Sequence, residues 1–397
     1  MRLHDTTALG LPLSIGWRWL PLLCLLTTGC SALSPGTASV RSLPPLQLTE
    51  RQVAIAEAQE RVQSPDLLGV DDDMRTFVER YTGGMAHPRQ RLMMLHRALR
   101  GSATLGVDYD PSAGGTAADV FHRGTANCLS YASLFIALAR EAGLDAGYQW
   151  LEVRPQWTRQ GERVMVSLHV NAVVNTQRRE QYMVDIDPLP SRDIAGSREI
   201  SDADAVALYH SNVAMRALAR GDSEQAFLHS VRALMLSPQM AHLWVNLGAT
   251  YRYAGQHDVA EMIYLHALQL DPLERSAMNN LVVLYAMDGR EDDRRYWDQQ
   301  VTRYRDANPY YHAWLGDLAA QDEHWDKARD YYERAVSLSP EDARLLYALG
   351  ITHQQLGDVQ SASQYLRQAI DRATLRSDID AYSAALRTLQ TGAPGEG

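Results

Sequence analysis

Apolar residues recur at helical spacing near Glu50 to Val62, Asp72 to Tyr81 and Arg89 to Leu99, and each stretch predicts a helix. A Gly-rich loop, Ser112 to Thr116, follows. From Leu129 to Ala142 the chain is apolar on nearly every side and stops at Gly143, the pattern of a buried central helix ended by glycine, with Cys128 at its start. The period then changes. Gly147 to Val153, Arg163 to Val174 and Gln181 to Asp187 read as strands, with a polar turn, Asn175 to Glu180, between the last two. The second run alternates, placing Val164, Val166, Leu168, Val170 and Ala172 on one face and Ser167, His169 and Asn171 on the other. Helices followed by a hairpin-rich sheet make residues 49–190 an α+β domain.

After a linker at 191–206 the pattern repeats. Pro238, Pro272 and Pro340 stand 34 and 68 residues apart. The unit Ala241 to Pro272 carries Trp244, Leu247, Gly248, Tyr251, Ala260, Tyr264, Ala267 and Pro272, and it resembles a tetratricopeptide repeat (TPR). The same register returns at Leu315, Gly316, Ala328, Tyr332 and Ala335, and again at Leu349, Gly350, Ala362, Leu366 and Ala369. Gly221, Ala226 and Ala233 mark a weaker first unit, and the unit from Arg275 departs from the pattern, with Asp306 where proline would fall. About five units over 207–376 predict an all-α TPR solenoid, with a capping helix at 377–390 and a tail at 391–397. The resemblance implies a concave groove that takes a protein or peptide partner.

Composition narrows the classes. Lys and Arg total 38 against 48 Asp and Glu, a formal net charge of −10 with no compact basic stripe, which argues against a nucleic-acid partner. At the N-terminus an apolar run, Trp19 to Leu26, sits behind Arg18 and ends in Leu26-Thr27-Thr28-Gly29-Cys30, so residues 1–30 read as a signal peptide. The small residues before Cys30 resemble a bacterial lipoprotein cleavage box. That resemblance implies a lipid on Cys30, a membrane anchor facing the periplasm and, from Ser31, the outer membrane of the cell envelope. The Ser- and Pro-rich segment 31–48 would be an extended tether. With Cys24 discarded and Cys30 lipidated, Cys128 is the one thiol left in the mature chain.

A thiol at a helix N-terminus is placed to become a nucleophile, because the free N–H groups and positive helix end favour the thiolate. His169 lies on the polar side of its strand. If the turn centres near Gln177 to Arg178, both Asp185 and Asp187 have the parity to share the face of His169. A thiol, an imidazole and a carboxylate in that relation form a nucleophile, base and orienting acid.

The stretch GTANCLSYASLFIALAREAGLDA, then a strand histidine, then YMVDID, resembles the core of the transglutaminase-like superfamily, papain-like in design, over Leu92 to Pro188. The resemblance implies Cys128 as nucleophile, His169 as general base and Asp185 as orienting acid, with Asp187 second. Many members have tryptophan two residues after the histidine, and here Asn171 holds that place. His122, six before Cys128, falls where papain-like enzymes keep an oxyanion glutamine, an offset read as coincidence. No His, Cys, Asp or Glu cluster has metal-ligand spacing, Asp71 to Asp73 read as a helix start, and neither a metal nor a cofactor is expected. The expected function is acyl transfer from a protein or peptide, to water as a peptidase or amidase or to an amine as a transglutaminase. The alternative is an inactive lipoprotein scaffold that binds partners through its TPR groove.

Overall fold

The structure, a computed structural model, describes residues 39–153, 156–158, 161–163, 169–175, 181–189 and 194–391. The expected signal peptide with Cys30, residues 31–38 of the expected tether, residues 164–168 of the expected second strand, most of the expected turn and the expected tail from 392 onward lie outside them.

The described end of the tether is docked. A 3-10 turn at Val40–Ser42 is followed by β1 (Leu46–Gln47), which pairs with β2 (Gln52–Val53), and Val40, Leu43 and Leu46 are buried. Apolar residues at every third position let an extended Pro-rich strip bury one side. The Tyr251 hydroxyl donates to the carbonyl of Pro44, and the Gln47 N–H donates to Gln256 Oε1 at 2.7 Å. Because Gln52 and Val53 belong to a strand, helix α1 begins only at Ile55 and runs to Arg61.

Helices α2 (Asp72–Thr82) and α3 (Pro88–Arg100) start where Asp71 accepts the Met74 N–H and where proline occupies the first turn. A parallel pair, β3 (Asp108–Tyr109) and β4 (Thr125–Ala126), brackets α4 (Ala117–Arg123), a helix that the sequence pattern did not predict. Then comes α5 (Cys128–Glu141), buried without interruption from Leu129 to Ala139 and stopped at Gly143, whose φ of +70° suits glycine.

The sheet contains β5 (Asp145–Val153), β8 (His169–Asn175), β9 (Gln181–Val184) and β10 (Ile194–Ile200) in the order β10-β5-β8-β9, all antiparallel. Between β5 and β8 lies a small hairpin, β6 (Gln156–Thr158) with β7 (Gly161–Arg163). Tyr148, Val170, Ala172 and Val174 join the core containing α5, and the Tyr148 hydroxyl donates to Ser133 Oγ at 2.8 Å. The expected linker at 191–206 therefore holds a fourth strand. It is an edge strand buried mainly at its two ends, so it lacks the apolar alternation that announces a strand.

Five antiparallel helix pairs follow: α6 (Asp202–Ala219) with α7 (Ser223–Leu236), α8 (Ala241–Tyr253) with α9 (His257–Leu270), α10 (Arg275–Met287) with α11 (Glu291–Ala307), α12 (Pro309–Gln321) with α13 (Trp325–Leu338), and α14 (Ala343–Gln355) with α15 (Val359–Arg372). The capping helix is α16 (Arg376–Thr391). The repeat residues explain the pairing. A Cβ on Gly248 would stand 2.6 Å from the Tyr264 ring, and one on Gly316 would stand 2.8 Å from the Tyr332 ring, so glycine lets each large side chain cross to its partner helix.

The sheet and the solenoid share their packing. Trp150 of β5 meets His242 of α8 with ring centroids 4.7 Å apart, and the Arg198 guanidinium of β10 lies over the indole at 5.2 Å. Arg140 of α5 makes a bidentate pair with Asp202 of α6 at 2.7 and 3.0 Å. At the far edge of the sheet Gln181 bridges to Leu375, in the turn before α16.

Candidate active site

The start of α5 is fixed from two directions. Asn127 accepts the Ser130 N–H at 2.9 Å and its own N–H donates to Ser130 Oγ at 3.0 Å, a reciprocal cap. The Gly-rich loop supplies the other hold: the Ala113 carbonyl accepts from the Asn127 N–H at 2.9 Å and from Ser130 Oγ at 2.8 Å. These bonds leave Cys128 as the first helical residue, partly exposed, with the N–H groups of Cys128 and Leu129 having no carbonyl beneath them in the helix.

His169 and Asp185 meet it there. The Cys128 thiol, a His169 ring nitrogen and an Asp185 carboxylate oxygen all lie within 4.8 Å of one another. His169 Nε2 hydrogen-bonds Asp185 Oδ2, and both side chains are nearly closed to solvent, at 7% and 2% exposure. With Nε2 held, Nδ1 is the nitrogen left for the thiol. Burial acts to lower the imidazole pKa, but bonds and charge from Asp185 and Cys128 outweigh it and raise the pKa from 6.5 to about 10. The site therefore favours a protonated imidazolium, held between Asp185 and Cys128.

Which of Asp185 and Asp187 meets His169 follows from where β9 ends. Val184 pairs with Ala172, so the ladder, if continued, would set Asp187 opposite His169. It does not continue. Arg100 Nη1 takes the carbonyls of Asp185, at 3.5 Å, and Ile186, pulling the chain off the ladder and bringing Asp185 diagonally to the histidine. Asp187 is exposed, and its backbone N–H donates to Asp185 Oδ1 at 3.2 Å. Arg100 was invisible to sequence reasoning because its partners are backbone carbonyls.

Other expected neighbours go elsewhere. His122 is exposed and bonds Asp71 Oδ2 at 2.8 Å, well employed beside the cap of α2. Asp71, Asp73 and His122 come close enough to share a cation, but two of the three are exposed and Asp71 already accepts from Met74. Asn171, two residues along β8 from His169, is buried with neither amide atom hydrogen-bonded among the described residues. Tyr109, which no sequence signal singled out, brings its hydroxyl to 3.9 Å from Cys128 Sγ. Its place follows from the β3–β4 pair, which sets it beside Ala126, two residues before the cysteine.

Comparisons with known proteins agree with this layout. Residues 75–185 match the family model described as Transglutaminase-like superfamily, while residues 241–272 and 315–387 match models described as Tetratricopeptide repeat. Among curated proteins the chain is similar to BBSome complex member BBS4 of Bos taurus, 28% identical over 38% of this chain and 28% of that one. It is also similar to Anaphase-promoting complex subunit CDC16 of Saccharomyces cerevisiae, 22% identical over 43% of this chain and 20% of that one. The chain thus spans about a quarter of the length of these relatives. Among solved structures, MamA from Desulfovibrio magneticus RS-1 is 19% identical over 43% of this chain and 96% of its own, with a TM-score of 0.24. YrrB, a TPR protein with an unusual peptide-binding site, is 18% identical over 46% of this chain and 92% of its own, with a TM-score of 0.23. This chain carries a domain of the transglutaminase-like superfamily joined to tetratricopeptide repeats.

Proposed function

We propose that the protein is a cysteine-dependent acyl-transfer enzyme acting on a protein or peptide amide, with the repeats as its protein-binding module. The observation that carries the reading is a partly exposed thiol at a helix start, joined through one imidazole to a buried carboxylate. The Cys128 thiolate attacks the amide carbonyl carbon, forming the S–C bond and moving the C=O π pair onto oxygen. The N–H groups at the start of α5 face that oxyanion. As the carbonyl reforms and the C–N bond breaks, the His169 imidazolium gives its proton to the leaving amine, and a thioester remains. Neutral His169 then takes a proton from water or from a second amine, which attacks the thioester and frees the thiol. Asp185 keeps Nε2 engaged throughout, so that Nδ1 faces the sulfur.

The test is the pH dependence of Cys128 alkylation by iodoacetamide, in the protein and in His169→Ala. Alkylation that is fast and level through neutral pH, and collapses in the variant, supports the reading. A slow rate that climbs only where an ordinary thiol ionises, near pH ~8.5, and ignores His169 would leave the chain as a binding scaffold. The same proposal places the enzyme in the bacterial cell envelope, anchored through Cys30. Incorporation of labelled palmitate that disappears in Cys30→Ser is the expected result, and labelling that survives the change would remove the anchor.

A further inference from the structure

The acyl-transfer reading leaves one requirement half met. An oxyanion held by backbone N–H groups at the start of α5 is approached from one side only, and the side chain at the papain-like offset, His122, is turned away to Asp71. The Asn127 side chain is turned to cap α5, its Oδ1 accepting the Ser130 N–H and its Nδ2 lying toward Gly114. Beside the sulfur stands Tyr109, its hydroxyl 3.9 Å from Sγ and the residue 44% exposed. An oxygen on the carbon that bonds Sγ lies within about 3 Å of the sulfur, so a hydroxyl about 4 Å from Sγ is within reach of that oxygen.

We propose that Tyr109 is a catalytic residue, the side-chain donor that completes the oxyanion site for the acyl group carried by Cys128. Two features of its setting suit the role. Its backbone is pinned, because the Asp108 N–H bonds the Gly124 carbonyl at 3.0 Å and the Asp110 N–H bonds the Ala126 carbonyl at 2.9 Å, so β3 moves with the segment that carries the cysteine. Its hydroxyl keeps its proton: burial, then the neighbouring Cys128, Asp187 and Asp185, push the phenol up to about 12. It therefore donates a hydrogen bond without giving up the proton. As the thiolate adds, the C=O π pair moves to oxygen and the Tyr109 O–H bonds it. As the carbonyl reforms, the leaving group departs with the electrons of its own bond, and the phenol is unchanged.

This inference rests on the acyl-transfer reading, and two thiol reactions separate the two. Alkylation by iodoacetamide displaces iodide and passes through no oxyanion. Acylation by p-nitrophenyl acetate forms one and expels p-nitrophenolate, which needs no proton. In Tyr109→Phe the acylation rate should fall about 100-fold, while alkylation keeps the wild-type pH profile. Phenylalanine retains the ring, so the fold is not in question. Equal acylation in the two proteins would overturn the proposal. So would a variant faster in both reactions, which would make Tyr109 a lid over the thiol. Slow wild-type alkylation that ignores His169 would remove the acyl-transfer reading itself, and the assignment with it, through the alkylation arm alone.

Discussion

At the scale of single residues the site is a set of parity and register choices, of which the sequence shows some. Alternation placed His169 on the polar side of β8, and it allowed both Asp185 and Asp187. What separates them is the Arg100 guanidinium on two backbone carbonyls, a contact with no sequence signature. The protonated state of His169 gives a test of the pair. Its pKa in the folded protein, about 10, lies above the ordinary 6.5, so folding favours the charged ring. That contribution is complete below pH 6.5 and is lost as pH rises through about 10. The urea midpoint of the wild type should therefore fall more steeply over this window than that of His169→Gln, and parallel curves would show that Asp185 and Cys128 do not hold the imidazolium. Asn171 offers a second test. Its amide is buried without a hydrogen-bond partner among the described residues, a cost of about 1–3 kcal/mol. Asn171→Leu, which keeps the branched shape and removes both polar atoms, should raise stability by about 1 kcal/mol at an unchanged m value in urea. A loss instead would reveal a partner for the amide.

At the scale of elements, legibility tracks how much of an element's cause is local. Helix α5 was plain from its apolar run and Gly143, and the repeats were plain because each restates the same small and large residues at fixed offsets. Strand β10 was not, since an edge strand buried at its ends depends on pairing with β5 rather than on its own pattern. The docked strip at 39–48 failed for a related reason: its few apolar residues acquire meaning only against helices two hundred positions away. Substitution should reproduce this contrast. Asn127→Ala removes the cap that sets Cys128, at a cost of about 1 kcal/mol. The measurement is paired, with thermal unfolding showing that modest loss and iodoacetamide alkylation showing a larger drop. Reactivity that falls no further than stability would mean the cap does not position the thiol. Gly248→Ala drives a methyl into the Tyr264 ring and should cost about 1–3 kcal/mol without changing alkylation.

Across the whole molecule, the transglutaminase-like domain and the repeats are legible as two segments, but not as one packed body. The periodicities of 2, 3.6 and 34 each describe a segment and its own folding, and none describes the surface between segments. The structure shows one hydrophobic core running from Val40 through α5 and the sheet into α6–α10, ending at Tyr285, with separate smaller cores in α12–α16. Trp150 is buried at 7% exposure, beside His242 of the solenoid and Arg198 of β10. A chain cut after Ser201 would bare Trp150 and Ile200 and strip Arg140 of its Asp202 partner, while a chain cut after Ala307 would keep the main core whole. Burial of large apolar side chains is the dominant favourable term in folding, so the two truncations should differ in kind. The shorter chain is expected to bind a hydrophobic dye, to unfold over a broad range and to lose the His169-dependent alkylation of Cys128. The longer one should keep a single cooperative transition and that reactivity. A shorter chain that unfolds cooperatively, with its thiol still activated, would show that the domain stands alone and that the solenoid is an appendage rather than part of its core.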